Sequence, residues 1–255
     1  MKKAKGIHEV ILSIVAVFVL LSCAGQSTQH NEQLAEANRE IGEAYIRQGD
    51  YTSALRELLK AEKLNPEDSF VHNDLGICYM AKKLLPDAIV HFKKAIALKP
   101  TYTPARNNLG TAYLAAKQWD AAIAVFEEIT KDVLYATPQF PLSNLGLAYY
   151  NKGDYKNAIH YYKEALQLQP KLVFALFGLG RAYLDQNEGQ LALRYLEQAA
   201  QLAPKVGEYQ YYLAEAYLLT GQTAKARNSY MNVIELTSQE SDLAIMAKRR
   251  LGMLR

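Results

Sequence analysis

Residues 75–100 read LGICYMAKKLLPDAIVHFKKAIALKP, and a related pattern recurs five more times along the chain. The small residue that marks each copy stands at positions 42, 76, 110, 146, 180 and 214, so the successive intervals are 34, 34, 36, 34 and 34. In every copy a Tyr follows three residues later, an Ala twelve residues later, and a Leu, Phe or Tyr sixteen residues later. A fixed period of about 20–50 residues indicates a stack of similar structural units.

This pattern resembles the tetratricopeptide repeat, whose unit is a pair of helices. Gly or Ala stands where the two helices cross closely, and Pro66 and Pro100 stand where a helix has just ended. Gly49, Gly153 and Gly221 fall at the turn within a pair, where a left-handed residue ends a helix at little cost. The resemblance predicts an all-α fold, a right-handed α-solenoid of six helix pairs with a C-terminal capping helix.

The repeats predict the division of the chain. The predicted segments are a signal peptide over 1–22, a lipidated N-terminus and flexible tether over 23–34, six repeats over 35–68, 69–102, 103–138, 139–172, 173–206 and 207–240 (together 35–240), and a capping helix over 241–255. The repeat tyrosines are expected to be core residues rather than a ligand-stacking stripe. They are Tyr45, Tyr79, Tyr113, Tyr149, Tyr183 and Tyr217. Cys78 is expected to be a small buried apolar residue.

The N-terminus has the layout of an export signal. Three lysines within the first five residues precede an apolar run from Val10 to Leu21, which is interrupted only by Ser13. The run has twelve residues, too few for a comfortable bilayer span of about 20. A basic start followed by a short apolar stretch is typical of a secretory signal.

The run ends in LLSC over 20–23, which resembles the lipobox of bacterial lipoproteins. The resemblance implies cleavage before Cys23 and lipid on its thiol and its new amino group. Ala24, in place of Asp, implies the outer membrane, with the body facing the periplasm. The alternatives are an uncleaved signal anchor and an ordinary cleaved signal followed by an incidental Cys.

The composition excludes several classes of protein. The chain has 255 residues, 50% of them hydrophobic, and a net charge of +3, of which +1 remains when 1–22, with three Lys and one Glu, is removed. This balance argues against binding to nucleic acid. Two Cys exclude a disulfide scaffold, and five scattered His predict no metal site. We find no His-Glu-x-x-His, Cys-x-x-Cys, Gly-x-Ser-x-Gly or phosphate-loop motif, and expect no enzymatic activity, small-molecule substrate or cofactor besides the lipid on Cys23.

A protein-binding groove is the candidate functional site. In tetratricopeptide proteins the first helix of each pair lines a concave surface with its second, fifth, ninth and twelfth positions. When the same positions are marked on this sequence, they predict a mostly apolar groove. It consists of Phe70, Asn73, Ile77, Met80, Asn107, Leu114, Phe140, Leu147, Tyr150, Phe174, Phe177, Arg181, Leu184 and Tyr211. A large apolar surface patch normally marks an interaction site. The alternative is that these residues pack against the neighbouring helix pair or a second copy of the chain.

The first repeat and the peptide clamp of chaperone-binding relatives set limits on the ligand. Arg39 and Glu43 make the inner face of the first repeat charged. Chaperone-binding members of the family hold a terminal carboxylate with Lys and Asn, but here those positions carry Arg39, Glu43, Asp74 and Pro104. The resemblance therefore implies that a chaperone C-terminus is not the ligand.

The junction after the third repeat points to a narrower relationship. Residues 131–138 read KDVLYATP and make this repeat two residues longer, and NLGL follows at 144–147. This run resembles the junction in the type IV pilus biogenesis lipoproteins of the pilotin group (PilF/PilW type). The resemblance implies binding to an apolar segment of the secretin and assistance with its outer-membrane localisation and multimerisation. The alternative is a periplasmic scaffold lipoprotein for cell-wall enzymes or outer-membrane protein assembly.

Overall fold

The computed structural model describes residues 29–132 and 136–254. Within these residues the chain is helical, with short turns between the helices and no strand. The all-α helical repeat fold predicted from the sequence is therefore confirmed. No helix in the described part of the chain is both long enough and apolar enough to cross a membrane.

The chain divides into two compact units, with the boundary between Leu109 and Gly110. The helices of the first unit are α1 (29–48), α2 (Tyr51–Leu64), α3 (Ser69–Ala81), α4 (Leu85–Leu98) and the first part of α5 (Thr103–Ala115). The second unit continues with α6 (Trp119–Thr130), α7 (Gln139–Lys152), α8 (Tyr155–Leu168), α9 (Val173–Asp185), α10 (Gly189–Leu202), α11 (Gly207–Leu219), α12 (Thr223–Leu236) and α13 (Asp242–Met253). Helices that follow one another in the chain pack side by side from α2 to α4 in the first unit and from α6 to α13 in the second.

The turn inside each pair has a left-handed residue at one fixed repeat position. The three predicted glycines Gly49, Gly153 and Gly221 have φ values of 78°, 85° and 75°. The same conformation occurs at the non-glycine residues of the other three pairs, with φ values of 62°, 58° and 61° at Lys83, Lys117 and Asn187. The geometry of the turn therefore persists where the sequence offers no glycine, and the L side chains there are strained.

Helix ends follow the local chemistry of the sequence. Pro66 and Pro100 each lie two residues beyond the last helical residue, at Leu64 and Leu98, where a missing N–H breaks no helical bond. At the other end of a helix, the Asp68 carboxylate accepts hydrogen bonds from the first backbone N–H groups of α3. Such caps satisfy backbone donors that have no partner inside the helix.

The marker glycines lie where the two helices of a pair cross. A Cβ added to Gly76 would lie 2.5 Å from Cε1 of Phe92, and one added to Gly146 would lie 2.6 Å from Cδ1 of Tyr162. Real Cβ contacts are not this short, so a larger side chain would separate the helices. The close crossing predicted from the repeat is confirmed.

The core consists of the repeat positions that the sequence singled out. The Ala and large residues twelve and sixteen positions after the marker are all 0% exposed: Ala54, Ala88, Ala122, Ala158, Ala192, Ala226, Leu58, Phe92, Phe126, Tyr162, Leu196 and Tyr230. Of the repeat tyrosines, only Tyr113 and Tyr183 are buried. The others are half-buried, and the Tyr149 hydroxyl, for example, donates a 2.9 Å hydrogen bond to Glu127. The four half-buried rings pack against the buried core clusters, so all six tyrosines belong to the core as predicted, and in four of them the phenol stays partly accessible because its hydroxyl favours polar surroundings.

Candidate functional site

The inner positions of the first unit are part exposed and part buried. Phe70 is 38% exposed, whereas Asn73 is 4% exposed. Ile77, Met80 and Asn107 are half-buried. The ring of Phe70 is therefore the apolar group that this surface offers to solvent, and Asn73 serves the packing of the helices.

Cations surround Phe70. Its ring packs edge-on against Tyr102 at a centroid distance of 5.0 Å. The Lys99 ammonium lies 4.5 Å and the Arg39 guanidinium 5.6 Å from the centre of the Phe70 ring. Such cation–π contacts are electrostatically favourable. This aromatic group is thus bordered by the Tyr102 ring and by two positive charges.

An acidic group lies behind this surface. Asn73 donates a 3.1 Å hydrogen bond to one carboxylate oxygen of Asp74, and the other oxygen of Asp74 is buried without a hydrogen-bond partner. Burial, followed by the nearby Glu43 carboxylate, raises the pKa of Asp74 to about 7. Arg39 is paired with Glu43. The positions compared with the chaperone clamp thus hold carboxylates, which do not favour a bound carboxylate terminus.

The second unit carries the more aromatic inner surface. Phe140 on α7 is 45% exposed and Phe174 on α9 is 40% exposed. Leu147, Tyr150 and Leu184 are half-buried. The two exposed rings stand at the second position of successive pairs, on helices α7 and α9 that are in contact. Large exposed aromatic groups at corresponding positions form a candidate anchor for a partner side chain.

Three further predicted groove residues are buried. The exposed fraction is 8% for Leu114, 5% for Phe177 and 6% for Tyr211. Phe177 packs against Tyr209 with ring centroids 4.3 Å apart, and Tyr211 packs edge-on against Tyr230 at 5.6 Å. These residues stabilise the packing between helices, as the alternative interpretation of the groove allowed. Their role at the surface is to support the exposed residues beside them.

Arg181 lies among aromatic rings in the second unit. Its guanidinium carbon is 4.7 Å from the ring centre of Tyr150, 5.4 Å from that of Phe177 and 4.6 Å from that of Tyr212. It donates a 3.2 Å hydrogen bond to the Tyr150 hydroxyl, which in turn donates at 2.6 Å to Asp185. The ring planes fix the guanidinium, while its Nε is buried without a partner. Arg181 is therefore a positive charge held among aromatic rings, with the Glu208 carboxylate 3.9 Å away.

A surface pocket of about 600 Å³ adjoins this group near the C-terminal helix. Its lining residues are Leu184, Asp185, Asn187, Tyr211, Tyr212, Glu215, Leu218, Leu219, Met246 and Arg250. Arg250 on α13 forms a 2.7 Å ion pair with Glu215, and Glu215 also accepts a 2.5 Å hydrogen bond from Tyr230. Arg250 points toward α11, because the Glu215 carboxylate offers it a partner.

Two tyrosines that shape this surface were not among the predicted groove residues. Tyr209 and Tyr212 stand at the third and sixth positions of their helix, outside the four inner positions carried over from the family. Their rings pack on Phe177, and Tyr212 also borders the pocket. The run of tyrosines at 209, 211 and 212 was a signal that could have identified them.

One set of side chains could hold a metal ion. Glu62, His72 and His91 come together in the first unit, with one ligand atom from each within 4.8 Å of the others. Burial lowers the pKa of His91, which favours its neutral form. The sequence predicted no metal site because these residues are far apart in the chain.

Paired helices with an apolar and aromatic inner surface define a helical-repeat scaffold for protein interaction. Tetratricopeptide repeat models match residues 39–103 and 177–241, residues 79–133 and residues 141–172. The chain belongs to the tetratricopeptide repeat family. A search of curated proteins found no match.

Several solved structures share the fold. PilF of Pseudomonas aeruginosa has a TM-score of 0.74 and 18% identity, with 87% of this chain and 99% of that chain covered. PilW, a widely conserved type IV pilus biogenesis factor, has a TM-score of 0.77 and 19% identity, with 85% and 99% covered. YrrB, a tetratricopeptide protein with an unusual peptide-binding site, has a TM-score of 0.55 and 20% identity, with 75% and 97% covered.

The predicted lipidation site, Cys23, lies outside the described residues, as does part of the junction after the third repeat (133–135). Cys78, by contrast, is a buried free thiol whose pKa burial raises to about 12. Such a thiol is inert as a nucleophile at neutral pH.

Proposed function

We propose that this chain is a lipid-anchored adaptor that binds an apolar segment of an envelope protein. The exposed rings of Phe140 and Phe174 are the single observation that carries the proposal. The narrower form of the proposal is a pilotin role in type IV pilus biogenesis. In that role the bound segment belongs to the secretin, which the adaptor helps to reach the outer membrane and to multimerise.

The surface of the second unit supports binding to an apolar segment. Two exposed Phe side chains, at 45% and 40%, stand on neighbouring helices, with half-buried Leu147 and Leu184 on the same helices. Burying such rings against a partner removes apolar surface from water, and this contributes about 25 cal/mol of favourable free energy per Å². Arg181, held by Tyr150, adds a fixed donor that can align a partner carbonyl or carboxylate. This combination suits an aromatic or aliphatic segment with a polar group beside it.

The membrane anchor rests on the N-terminal sequence. The LLSC run at 20–23 implies lipid on Cys23, and two or more acyl chains anchor a protein stably, at about 0.8 kcal/mol per buried CH₂. Tethering raises the effective concentration of a bound cargo at the membrane. The similarity of the fold to PilW, a type IV pilus biogenesis factor, and the resemblance of the junction at 131–147 to the pilotin group favour a pilus role over other envelope complexes.

The first experiment tests the surface. Phe140→Ala combined with Phe174→Ala should weaken capture of the secretin from a detergent extract by about tenfold or more, since anchor residues carry over 1 kcal/mol each. Leu168→Ala is the matched control, because Leu168 is 55% exposed on a second helix of the same unit. Equal capture of the secretin by the wild type, the double Phe variant and Leu168→Ala would refute the binding surface. Capture of cell-wall hydrolases or barrel-assembly subunits in place of secretin would refute the pilotin role.

The second experiment tests the anchor. Cys23→Ala should leave the helical content unchanged and move both the chain and the secretin out of the outer-membrane fraction. Membrane fractionation followed by immunoblotting measures both proteins. Unchanged sorting and multimerisation of the secretin in this variant would contradict a lipid-dependent pilotin mechanism.

A further inference from the structure

Three side chains with metal-ligating atoms converge in the first unit. Glu62 lies on α2, His72 on α3 and His91 on α4. Nδ1 of His72 is 3.1 Å from Nδ1 of His91 and 3.6 Å from Oε1 of Glu62. The three ligand atoms therefore surround a common point, although 10 and 19 residues separate their positions in the chain.

The surroundings of His72 leave one ring nitrogen ready for a ligand role. His72 is 1% exposed, and its Nε2 lies 2.9 Å from the carbonyl oxygen of Pro66. A carbonyl only accepts, so Nε2 carries the hydrogen and donates it. In the neutral ring Nδ1 then has a free lone pair, which faces His91 and Glu62. Metal-bound histidines characteristically donate their other ring N–H to a carbonyl or carboxylate in this way.

His91 and Glu62 supply the other two ligand atoms, and both residues are less buried than His72. The His91 ring stacks on Tyr79 at a centroid distance of 5.1 Å and an interplanar angle of 16°. It also stacks on His72 at 5.3 Å and 27°. The Glu62 side chain keeps 29% of its surface exposed, which leaves a route from solvent to the three ligand atoms. Two of the ligands are thus oriented by ring packing and the third is free to adjust.

The spacing matches a tetrahedral zinc ion. Zinc–nitrogen bonds of about 2.0–2.1 Å place two tetrahedral ligand atoms about 3.3 Å apart. Two of the three separations, 3.1 Å and 3.6 Å, lie on either side of this value, and all three ligand atoms lie within 4.8 Å of one another. Two imidazoles and one carboxylate are also a ligand set that zinc accepts, with a fourth position for water.

We propose that Glu62, His72 and His91 form a binding site for a zinc-class divalent transition metal. The ion joins α2, in the predicted repeat 35–68, to α3 and α4 in the predicted repeat 69–102. A metal that binds only the folded chain stabilises it. The site is independent of the apolar surface in the second unit and of the proposed adaptor function.

The test is a metal titration of the full chain, purified in detergent without a histidine tag and stripped with a chelator. Calorimetry with ZnCl₂ should give one equivalent per chain. Absorption with CoCl₂ should show the intense d–d bands of a tetrahedral ion. His91→Asn and Glu62→Gln should each weaken zinc binding at least about tenfold. His160→Asn is the matched control, because His160 is exposed and lies outside the site, with an i,i+4 pair to Glu164 at 3.5 Å and an edge-on ring contact with Tyr161 at 5.0 Å.

Thermal unfolding gives a second readout. Zinc should raise the unfolding temperature of the wild type and of His160→Asn, and raise that of His91→Asn by less at the same zinc concentration. Absence of stoichiometric zinc binding in the wild type would overturn the proposal, as would an unchanged isotherm in His91→Asn. If circular dichroism shows that His91→Asn is unfolded, the Glu62→Gln isotherm decides the question, since Glu62 is partly exposed.

Discussion

Tyr162 and Tyr230 occupy the same position of two repeats, and replacing each by Phe should have opposite effects on stability. Both side chains are 0% exposed. The hydroxyl of Tyr162 has no hydrogen-bond partner, whereas the hydroxyl of Tyr230 donates to Glu215 at 2.5 Å. Phe92 and Phe126 occupy this position in other repeats, so the site accepts a Phe ring.

The magnitudes follow from the hydroxyl alone, because Phe keeps the buried ring and creates almost no cavity. A buried hydroxyl without a partner costs about 1–3 kcal/mol, so Tyr162→Phe should raise the free energy of unfolding by about 1 kcal/mol. Tyr230→Phe removes a hydrogen bond to a charged acceptor, about 1.5–3 kcal/mol. Glu215 keeps its 2.7 Å pair with Arg250, so we expect the lower end, a loss of about 1.5 kcal/mol.

Urea denaturation of the full chain in detergent, followed by circular dichroism, measures both changes against the wild type. In thermal unfolding, 1 kcal/mol corresponds to about 2–4 °C for a chain of this size. The reasoning is wrong if Tyr162→Phe lowers the free energy of unfolding. It is also wrong if the two variants shift stability in the same direction.

Four further substitutions test the turn, the helix crossing and the buried acid. Lys83→Gly should stabilise by about 0.5–1 kcal/mol by relieving a left-handed residue, and Gly153→Ala should destabilise by about 1 kcal/mol, both by urea denaturation. Gly76→Ala should cost about 1–3 kcal/mol in the same assay, because its Cβ would lie 2.5 Å from a Phe92 ring atom. The pKa of Asp74 is raised to about 7 in the folded chain, above the value near 4 in the unfolded chain. The stability that the protonated acid allows is therefore fully present below pH 4, and the free energy of unfolding falls as the pH rises from 4 to 7. Asp74→Asn should therefore gain stability over the wild type across pH 4–7, by at most roughly 4 kcal/mol.

Each of these has an outcome that contradicts it. No heavy atom lies within 4 Å of a Cβ added to Gly153, so an unchanged stability there would show that the left-handed backbone carries no cost. A neutral Gly76→Ala would mean that the helices separate freely. Parallel pH curves for Asp74→Asn and the wild type would refute the raised pKa of Asp74.

The sequence by itself determined the repeat unit and its core. The 34-residue period, the small residue at each crossing and the large residue sixteen positions later predicted buried positions that are 0% exposed in the structure. This worked because helix pairing is local in the chain and is repeated six times, so each copy reinforces the others. The prolines after helix ends and the glycines of the turns belong to the same local chemistry.

Only the tertiary structure decided which side chains reach the surface. Phe174 and Phe177 are one turn apart on α9, yet the first is 40% exposed and the second 5% exposed, because Tyr209 covers the second ring. The position in the repeat predicts the direction of a side chain, while the size of the residue on the next helix determines its exposure. That size is not part of the repeat pattern.

The same reason explains the histidine pair. His72 and His91 are 19 residues apart and belong to no motif, so the sequence indicated no metal site. They meet at 3.1 Å because α3 and α4 pack antiparallel and the Pro66 carbonyl fixes the ring of His72. A set of ligands drawn from three helices is created by their packing, and no spacing within one helix records it.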